Sequence, residues 1–229
     1  MAGGLAQLRR HAAIDSTRLG LLAVSQGSWV AGLVARLDPG VRFVVHISGP
    51  AVPVVEADTY ALESELRREG WAEEDIAERS ELWRLSTQVA RDPDSDEAWG
   101  QLQSAIKGVR SRGWFQRSPY EPNRRSPWRT WYHHVLDYDP APVLRVLDIP
   151  MFWVFGAMDS ESDPATNVAI LERLRRRGKA YTIAVYPEAG HGLLIPVDSR
   201  GKQGELLTTA PGLFPDLTRW LLELTGVAR

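Results

Sequence analysis

Residues 19–32 read Leu-Gly-Leu-Leu-Ala-Val-Ser-Gln-Gly-Ser-Trp-Val-Ala-Gly, and this stretch decides the fold. Its first six residues form an apolar run typical of a buried parallel strand. The run stops at Ser25, and an apolar pattern with helical spacing begins directly after it. The stretch therefore predicts a strand over 18–24, a helix over 27–37 and a serine on the sharp turn between them. A serine on such a turn exposes its hydroxyl above the N-terminus of a helix.

The serine lies in an Ala-x-Ser-x-Gly pattern made by Ala23, Ser25 and Gly27. Small residues on both sides let the strand and the helix approach each other closely. Nucleophile-bearing turns of this kind usually have glycine in the first place, where alanine leaves most of the clearance. The alternative interpretation is that Ser25 only caps the helix, a position that serine favours.

Two later segments strengthen the catalytic interpretation. Residues 149–159, Ile-Pro-Met-Phe-Trp-Val-Phe-Gly-Ala-Met-Asp, predict a buried strand that leads to Asp159. Residues 181–192, Tyr-Thr-Ile-Ala-Val-Tyr-Pro-Glu-Ala-Gly-His-Gly, predict a strand followed by a loop that bears His191. Serine, aspartate and histidine thus occur in this order, each after a strand, as in the triad of α/β-hydrolases.

These segments, with Ile-Ser-Gly-Pro-Ala-Val at 47–52, resemble α/β-hydrolases of the bacterial esterase and prolyl-oligopeptidase-like group. The resemblance covers most of residues 12–225 and is weakest in the middle. It implies a serine hydrolase, most similar to a carboxylesterase, acting on a small acyl substrate without a cofactor. In that mechanism His191 removes the proton of Ser25, and Ser25 attacks the acyl carbonyl while Asp159 completes the triad.

Two assignments have competitors. Asp163 lies four residues after Asp159, but it precedes Pro164 and is better explained as a helix cap. The position directly after Phe-Gly-Ala-Met matches the acid of the family that the chain resembles, which favours Asp159. Ser48-Gly49-Pro50 is interpreted as a turn set by glycine and proline, and a role in the wall of a substrate pocket stays open.

The rest of the chain predicts an α/β fold with a parallel sheet. The further elements are a helix over 4–12, strands over 41–48, 151–156 and 181–186, and helices over 164–177 and 211–225. The stretch 56–138 breaks the alternation with a helix to Gly70, helices over 73–90 and 94–109, and irregular structure over 111–131. Such an insertion resembles the cap of α/β-hydrolases. We therefore predict a hydrolase core of 1–54 and 139–229 and a helical cap of 55–138.

The N-terminal region departs from the family. About four strands ordinarily precede the nucleophile strand, and the loop after the third gives the second oxyanion donor. Here only a short helix precedes the strand, so we expect a partial fold with strand 18–24 at an exposed edge. Another copy of the chain or a missing N-terminal segment would cover that edge. The backbone N–H of Gln26 is then the one predicted oxyanion donor. Since a lost donor costs about 10²–10³ in rate, we expect weak turnover of activated esters or none.

Composition and charge narrow the classes of function that the chain could have. The 229 residues suit one substantial core, and a net charge of −2 gives no reason to expect nucleic acid binding. No apolar run approaches the roughly 18 residues that span a membrane. The five histidines lack metal-ligand spacing and cysteine is absent, so we expect no metal site. We expect a cytoplasmic protein. A prolyl-oligopeptidase-like peptidase, a thioesterase and a non-catalytic or partner-dependent fragment stay open.

Overall fold

The computed structural model describes residues 2–116, 123–196 and 207–226. The chain divides into two compact units, Met1–Val52 with Pro140–Arg229, and Pro53–Asp139. The strands are β1 (Leu21–Val24), β2 (Val44–Ile47), β3 (Met151–Gly156), β4 (Tyr181–Tyr186), β5 (Leu194–Pro196) and β6 (Leu207–Thr209). The helices are α1 (Ala2–Arg9), α2 (Gly27–Leu37), α3 (Val54–Arg68), α4 (Glu73–Arg91), α5 (Asp96–Val109), α6 (Pro127–His133), α7 (Ala141–Val146), α8 (Pro164–Arg176) and α9 (Leu213–Thr225).

The first unit is built on a parallel sheet in which β1, β2, β3 and β4 lie side by side in chain order. Every residue of β3 is buried, which agrees with its continuous apolar sequence. By contrast β1 lies at the edge of the sheet, where Leu22 and Val24 are 58% and 45% exposed. The predicted parallel sheet with an exposed first strand is thereby confirmed. The strand begins at Leu21, because Ser16–Arg18 forms a short 3-10 turn.

Helices cover both faces of this sheet. On one face Ala31 and Ala35 of α2 pack with residues of α7 and α8 against Trp153 and Phe155 of β3. On the other face Leu213 of α9 joins a cluster that includes residues of β2 and β3. Because helices cover both faces, polar site residues can gather at the carboxyl ends of the strands.

Three features of the fold were not predicted, the first being α7 (Ala141–Val146), which lies in a stretch that the sequence left unassigned. The three-residue strands β5 and β6 form an antiparallel pair just after the predicted histidine loop. They are too short to give a periodic signal in the sequence. In the second unit, α6 begins within the segment 111–131 that was predicted to be irregular and ends at His133. Ser126 caps it by accepting a hydrogen bond from the N–H of Arg129, and Pro127 occupies its first turn.

The second unit contains α3 to α6 around its own core. Leu82, Leu85 and Val89 of α4 pack against Leu102 and Ile106 of α5 and against the buried ring of Trp114. The cap role assigned to 55–138 stays a prediction. Across the described ranges, no helix has the length and apolar character needed to cross a bilayer.

Candidate active site

Ser25 has a strained backbone at the turn between β1 and α2. Its φ angle is +54°, in the left-handed region that residues with a side chain rarely occupy. The conformation costs about 1–2 kcal/mol. It is held by hydrogen bonds from the N–H of Ser25 to the carbonyl of Ile47 and from the N–H of Ser28 to the carbonyl of Ser25, both 2.9 Å. Strain that the surrounding structure maintains in this way is typical of functional sites.

The N-terminus of α2 lies directly behind this serine. Gln26 is the N-cap residue of α2, and its side chain makes no capping hydrogen bond. The first N–H groups of a helix have no partner within the helix, and they favour negative charge. The N–H of Gln26 is thus a chemically suitable donor to the oxyanion that would form on a carbonyl oxygen when Ser25 attacks the carbonyl carbon. A side-chain carbon built on Gly27 would lie 3.8 Å from the Cβ of Ala23, an ordinary contact, so this turn has room for a methyl group.

Asp159 and His191 are brought together beyond the ends of β3 and β4. His191 Nδ1 lies 3.0 and 3.1 Å from the two carboxylate oxygens of Asp159, whose side chain is fully buried. One of these oxygens also accepts hydrogen bonds of 2.9 Å from the N–H groups of Glu161 and Ser162. The competitor Asp163 has another task, because it caps α8 by accepting hydrogen bonds from two backbone N–H groups.

A glycine lets the two loops meet. The N–H of Met158 donates to the carbonyl of Ala189 at 2.9 Å, which ties the turn before Asp159 to the loop before His191. A side-chain carbon at Gly156 would lie 2.2 Å from the same carbonyl oxygen, a distance that no real contact shows. Gly156 therefore permits the close backbone approach on which the aspartate–histidine pair depends.

The electrostatics of the pair suit a base that Asp159 orients. Burial alone raises the pKa of Asp159, but hydrogen bonds from His191 and from two backbone N–H groups outweigh it and lower the pKa below the usual value. The pKa of His191 is raised, mainly by its hydrogen bond to Asp159, against a lowering by burial. Since a carboxylate only accepts, His191 carries its proton on Nδ1 and presents Nε2 as the acceptor.

The exposed carboxylate of Glu161 lies beside His191 Nε2. Among the described residues, His191 makes no hydrogen bond with Ser25, and its Nε2 lies 3.6 Å from a carboxylate oxygen of Glu161. The side chain of Glu161 is 63% exposed. Hydrogen bonds between catalytic groups are often long without substrate and shorten in the complex. The structure thus pairs Asp159 with His191 and places Ser25 at the end of β1, with a second carboxylate beside the histidine.

We expect Glu161→Gln to move the acid limb of the pH–rate profile to lower pH. The charge of Glu161 contributes to the raised pKa of His191, so its removal lowers that pKa. The histidine must be neutral to act as a base, and it would then stay neutral at more acidic pH. Ester hydrolysis measured from pH 5 to 9 reports this shift. Glu188→Gln removes an exposed charge from the histidine loop, and an equal shift in that control would contradict the assignment.

His46 is not available as a base. It lies in the middle of β2, is fully buried and stacks on Trp153 with ring centroids 3.7 Å apart. Burial lowers the pKa of His46 to about 3, so the ring stays neutral at physiological pH. This agrees with its predicted place inside a strand.

Sequence reasoning missed two contributors to this site. Glu161 had no recognisable pattern, because its approach to His191 depends on how two loops fold. Ser48 was interpreted as part of a turn, yet its hydroxyl accepts a hydrogen bond of 3.0 Å from the N–H of Gly192. The signal available in the sequence was a serine directly after a buried strand, at the edge where the other site residues were expected.

Known proteins share parts of this sequence and the fold. The sequence profile of the prolyl oligopeptidase family matches residues 109–208, a range that includes Asp159 and His191 but not Ser25. No curated protein sequence matches the chain.

Solved structures align with nearly the whole chain. The complex of DcsB with its substrate analogue aligns with a TM-score of 0.52 at 15% identity, over 99% of this chain and 71% of that one. Acetyl xylan esterase 1 from a Thermoanaerobacterium species has a TM-score of 0.45 at 18% identity, over 97% and 50%. A Pyrococcus furiosus esterase has a TM-score of 0.49 at 12% identity, over 97% and 57%. The chain therefore spans half the length of the acetyl xylan esterase.

The parallel sheet, its two helical layers and the likeness to DcsB define the α/β-hydrolase fold. The prolyl oligopeptidase profile adds a sequence similarity over 100 of the 229 residues, in the part of the chain that contains Asp159 and His191. The described residues contain four parallel strands of that fold, with Ser25 directly after the first and His191 in the loop after the fourth.

Proposed function

We propose that this protein hydrolyses carboxylic esters through a triad of Ser25, His191 and Asp159. The observation that carries the proposal is the strained Ser25 at the end of β1, with the bonded Asp159–His191 pair beyond the ends of β3 and β4. A helix cap alone does not require a serine at φ +54°, whereas a nucleophile held out of a strand-to-helix turn does.

The reaction proceeds through an acyl-enzyme. His191 Nε2 takes the proton of the Ser25 hydroxyl as Oγ bonds to the acyl carbon, and the N–H of Gln26 donates to the resulting oxyanion. The ester C–O bond then breaks, and the leaving alcohol takes the proton from His191. A water molecule attacks the acyl-enzyme by the same route in reverse and releases the acid. Asp159 stabilises the imidazolium form of the histidine in both steps.

One oxyanion donor limits the rate. A single donor contributes about 2.7–4 kcal/mol of transition-state stabilisation, and a partner donor would contribute a similar amount. With Gln26 as the one donor assigned, we propose slow turnover that is measurable only with activated substrates. A rate typical of efficient esterases would contradict this part of the proposal.

We expect short aryl acetates to be cleaved faster than matched thioesters and peptide anilides. An aryl ester has a much better leaving group than an anilide, and its leaving oxygen accepts the proton of His191 better than a thioester sulfur does, so it demands least from a site with one assigned oxyanion donor. The measurement is kcat/KM for acetate, thioacetate and acyl-anilide substrates with the same acyl group. Preference for the thioester would establish the thioesterase alternative instead.

A peptidase is the second candidate, and the prolyl oligopeptidase match favours it. The same triad would cleave an amide bond, with His191 protonating the leaving amine. Acyl-anilide hydrolysis that equals or exceeds aryl ester hydrolysis would support this candidate and reject the esterase. If neither substrate reacts and no active-site label binds, the chain is a non-catalytic or partner-dependent fragment.

A further inference from the structure

Ser48 has an unusual backbone for a residue that merely ends a strand. It follows β2 directly, is completely buried and has a φ of +49°. Its N–H donates to the carbonyl of Val154 in β3 at 2.9 Å, which extends the parallel ladder by one residue. A serine keeps such a left-handed backbone only where the surrounding contacts hold it. The contacts of Ser48 therefore indicate what its conformation is for.

The hydroxyl of Ser48 holds the histidine loop. It accepts a hydrogen bond of 3.0 Å from the N–H of Gly192, the residue directly after His191. Gly192 itself has a φ of +67°, inside the 3-10 turn His191–Leu193. Because the histidine and this N–H are adjacent in the chain, a shift of one moves the other.

The same segment also supports the nucleophile. The carbonyl of Ile47 accepts the 2.9 Å hydrogen bond from the N–H of Ser25. The next residue, Gly49, packs so closely on α2 that a side-chain carbon there would lie 2.1 Å from the Oγ of Ser28. Residues 47–49 thus touch the nucleophile turn on one side and the histidine loop on the other.

We propose that Ser48 is a positioning residue that sets His191 at the correct place relative to Ser25. The proposal rests on the proposed function, because the distance between His191 and Ser25 matters only if the histidine takes the proton of the serine. Asp159 fixes which nitrogen of the histidine carries the proton, and Ser48 fixes where the loop holds the ring. Ser48 itself touches neither substrate nor the reacting atoms.

The test is Ser48→Ala, which removes the acceptor and leaves the N–H of Gly192 without its partner. We expect kcat for aryl acetate hydrolysis to fall about 10- to 100-fold with KM changed less than about twofold, because a misplacement of roughly 1 Å costs up to about 10² in rate. The rate of labelling by a fluorophosphonate should fall by the same factor, since it also needs His191 to take the Ser25 proton. Hydrogen exchange at the Gly192 amide should become faster.

Two further variants separate positioning from stability. Ser48→Gly also lacks the hydroxyl but suits a positive φ, so it should be more stable than Ser48→Ala and lose the same activity. Tyr181→Phe removes another buried hydroxyl, which donates to the carbonyl of Leu144 at 3.1 Å near the start of β4. That control should lose stability without losing kcat.

The positioning role would be overturned if kcat in Ser48→Ala and Ser48→Gly equalled the wild-type value, as expected for Tyr181→Phe, and only thermal stability were reduced. The proposed function fails in a different way, through hydrolysis and labelling that are unchanged in Ser25→Ala. In that case Ser48 has no catalytic histidine to position, and this inference is rejected with it.

Discussion

Ser25→Ala is expected to lower kcat for ester hydrolysis by about 10⁶, down to the residual rate that the oxyanion donor and substrate binding alone support. Alanine removes the oxygen that forms the acyl-enzyme, and no other group takes over that bond in the proposed mechanism. The loss should appear in kcat, because the substrate-binding surface is otherwise unchanged. The fold should also survive, because alanine keeps the Cβ of serine and so adds no new strain at this positive φ.

The measurement is aryl acetate hydrolysis by wild type and variant at equal concentration, with circular dichroism to compare folding. Ser16→Ala is the matched control, because Ser16 is exposed in the 3-10 turn before β1. The control should keep the wild-type rate. If Ser25→Ala also keeps it, the serine-hydrolase mechanism is wrong for this chain.

Asp159→Asn should have the next largest effect, a loss of roughly 10⁴ in kcat. The amide can donate a hydrogen bond, so it permits the histidine tautomer with its proton on Nε2, which cannot accept the proton of Ser25. It also removes the negative charge that stabilises the imidazolium form. Because the hydrogen bond to Asp159 is the main cause of the raised pKa of His191, the variant should have a lower histidine pKa.

Asp163→Asn is the matched control for this prediction. Asp163 caps α8 through two backbone N–H groups, and asparagine caps helices about as well. Activity and stability should both stay close to wild type. The opposite pattern, a large loss in Asp163→Asn and a small one in Asp159→Asn, would transfer the role of the acid to Asp163.

The sequence predicted those parts of the fold that local patterns determine. The strand before Ser25, the apolar strand β3 and the strand before His191 all formed, but the first begins at Leu21 instead of residue 18 and is only partly buried, because β1 is an edge strand. The cap of α8 was also predictable, because Asp163 and Pro164 mark a helix start within a few residues.

The remaining details depend on contacts between distant segments. Ser48 and Gly192 are 144 residues apart, so no local pattern relates the hydroxyl to the histidine loop. The approach of Glu161 to His191 follows from the meeting of two loops, which the small size of Gly156 permits. The strands β5 and β6 are too short to show a period.

Covalent labelling tests the central claim most directly. A fluorophosphonate reacts once with an activated serine and needs no turnover, so a slow enzyme is still labelled by it. We predict one phosphonyl group per chain, located on Ser25 by peptide mass mapping, with labelling abolished in Ser25→Ala and strongly slowed in Asp159→Asn. Label found on another residue, or the same extent of labelling in Ser25→Ala as in wild type, would contradict the account.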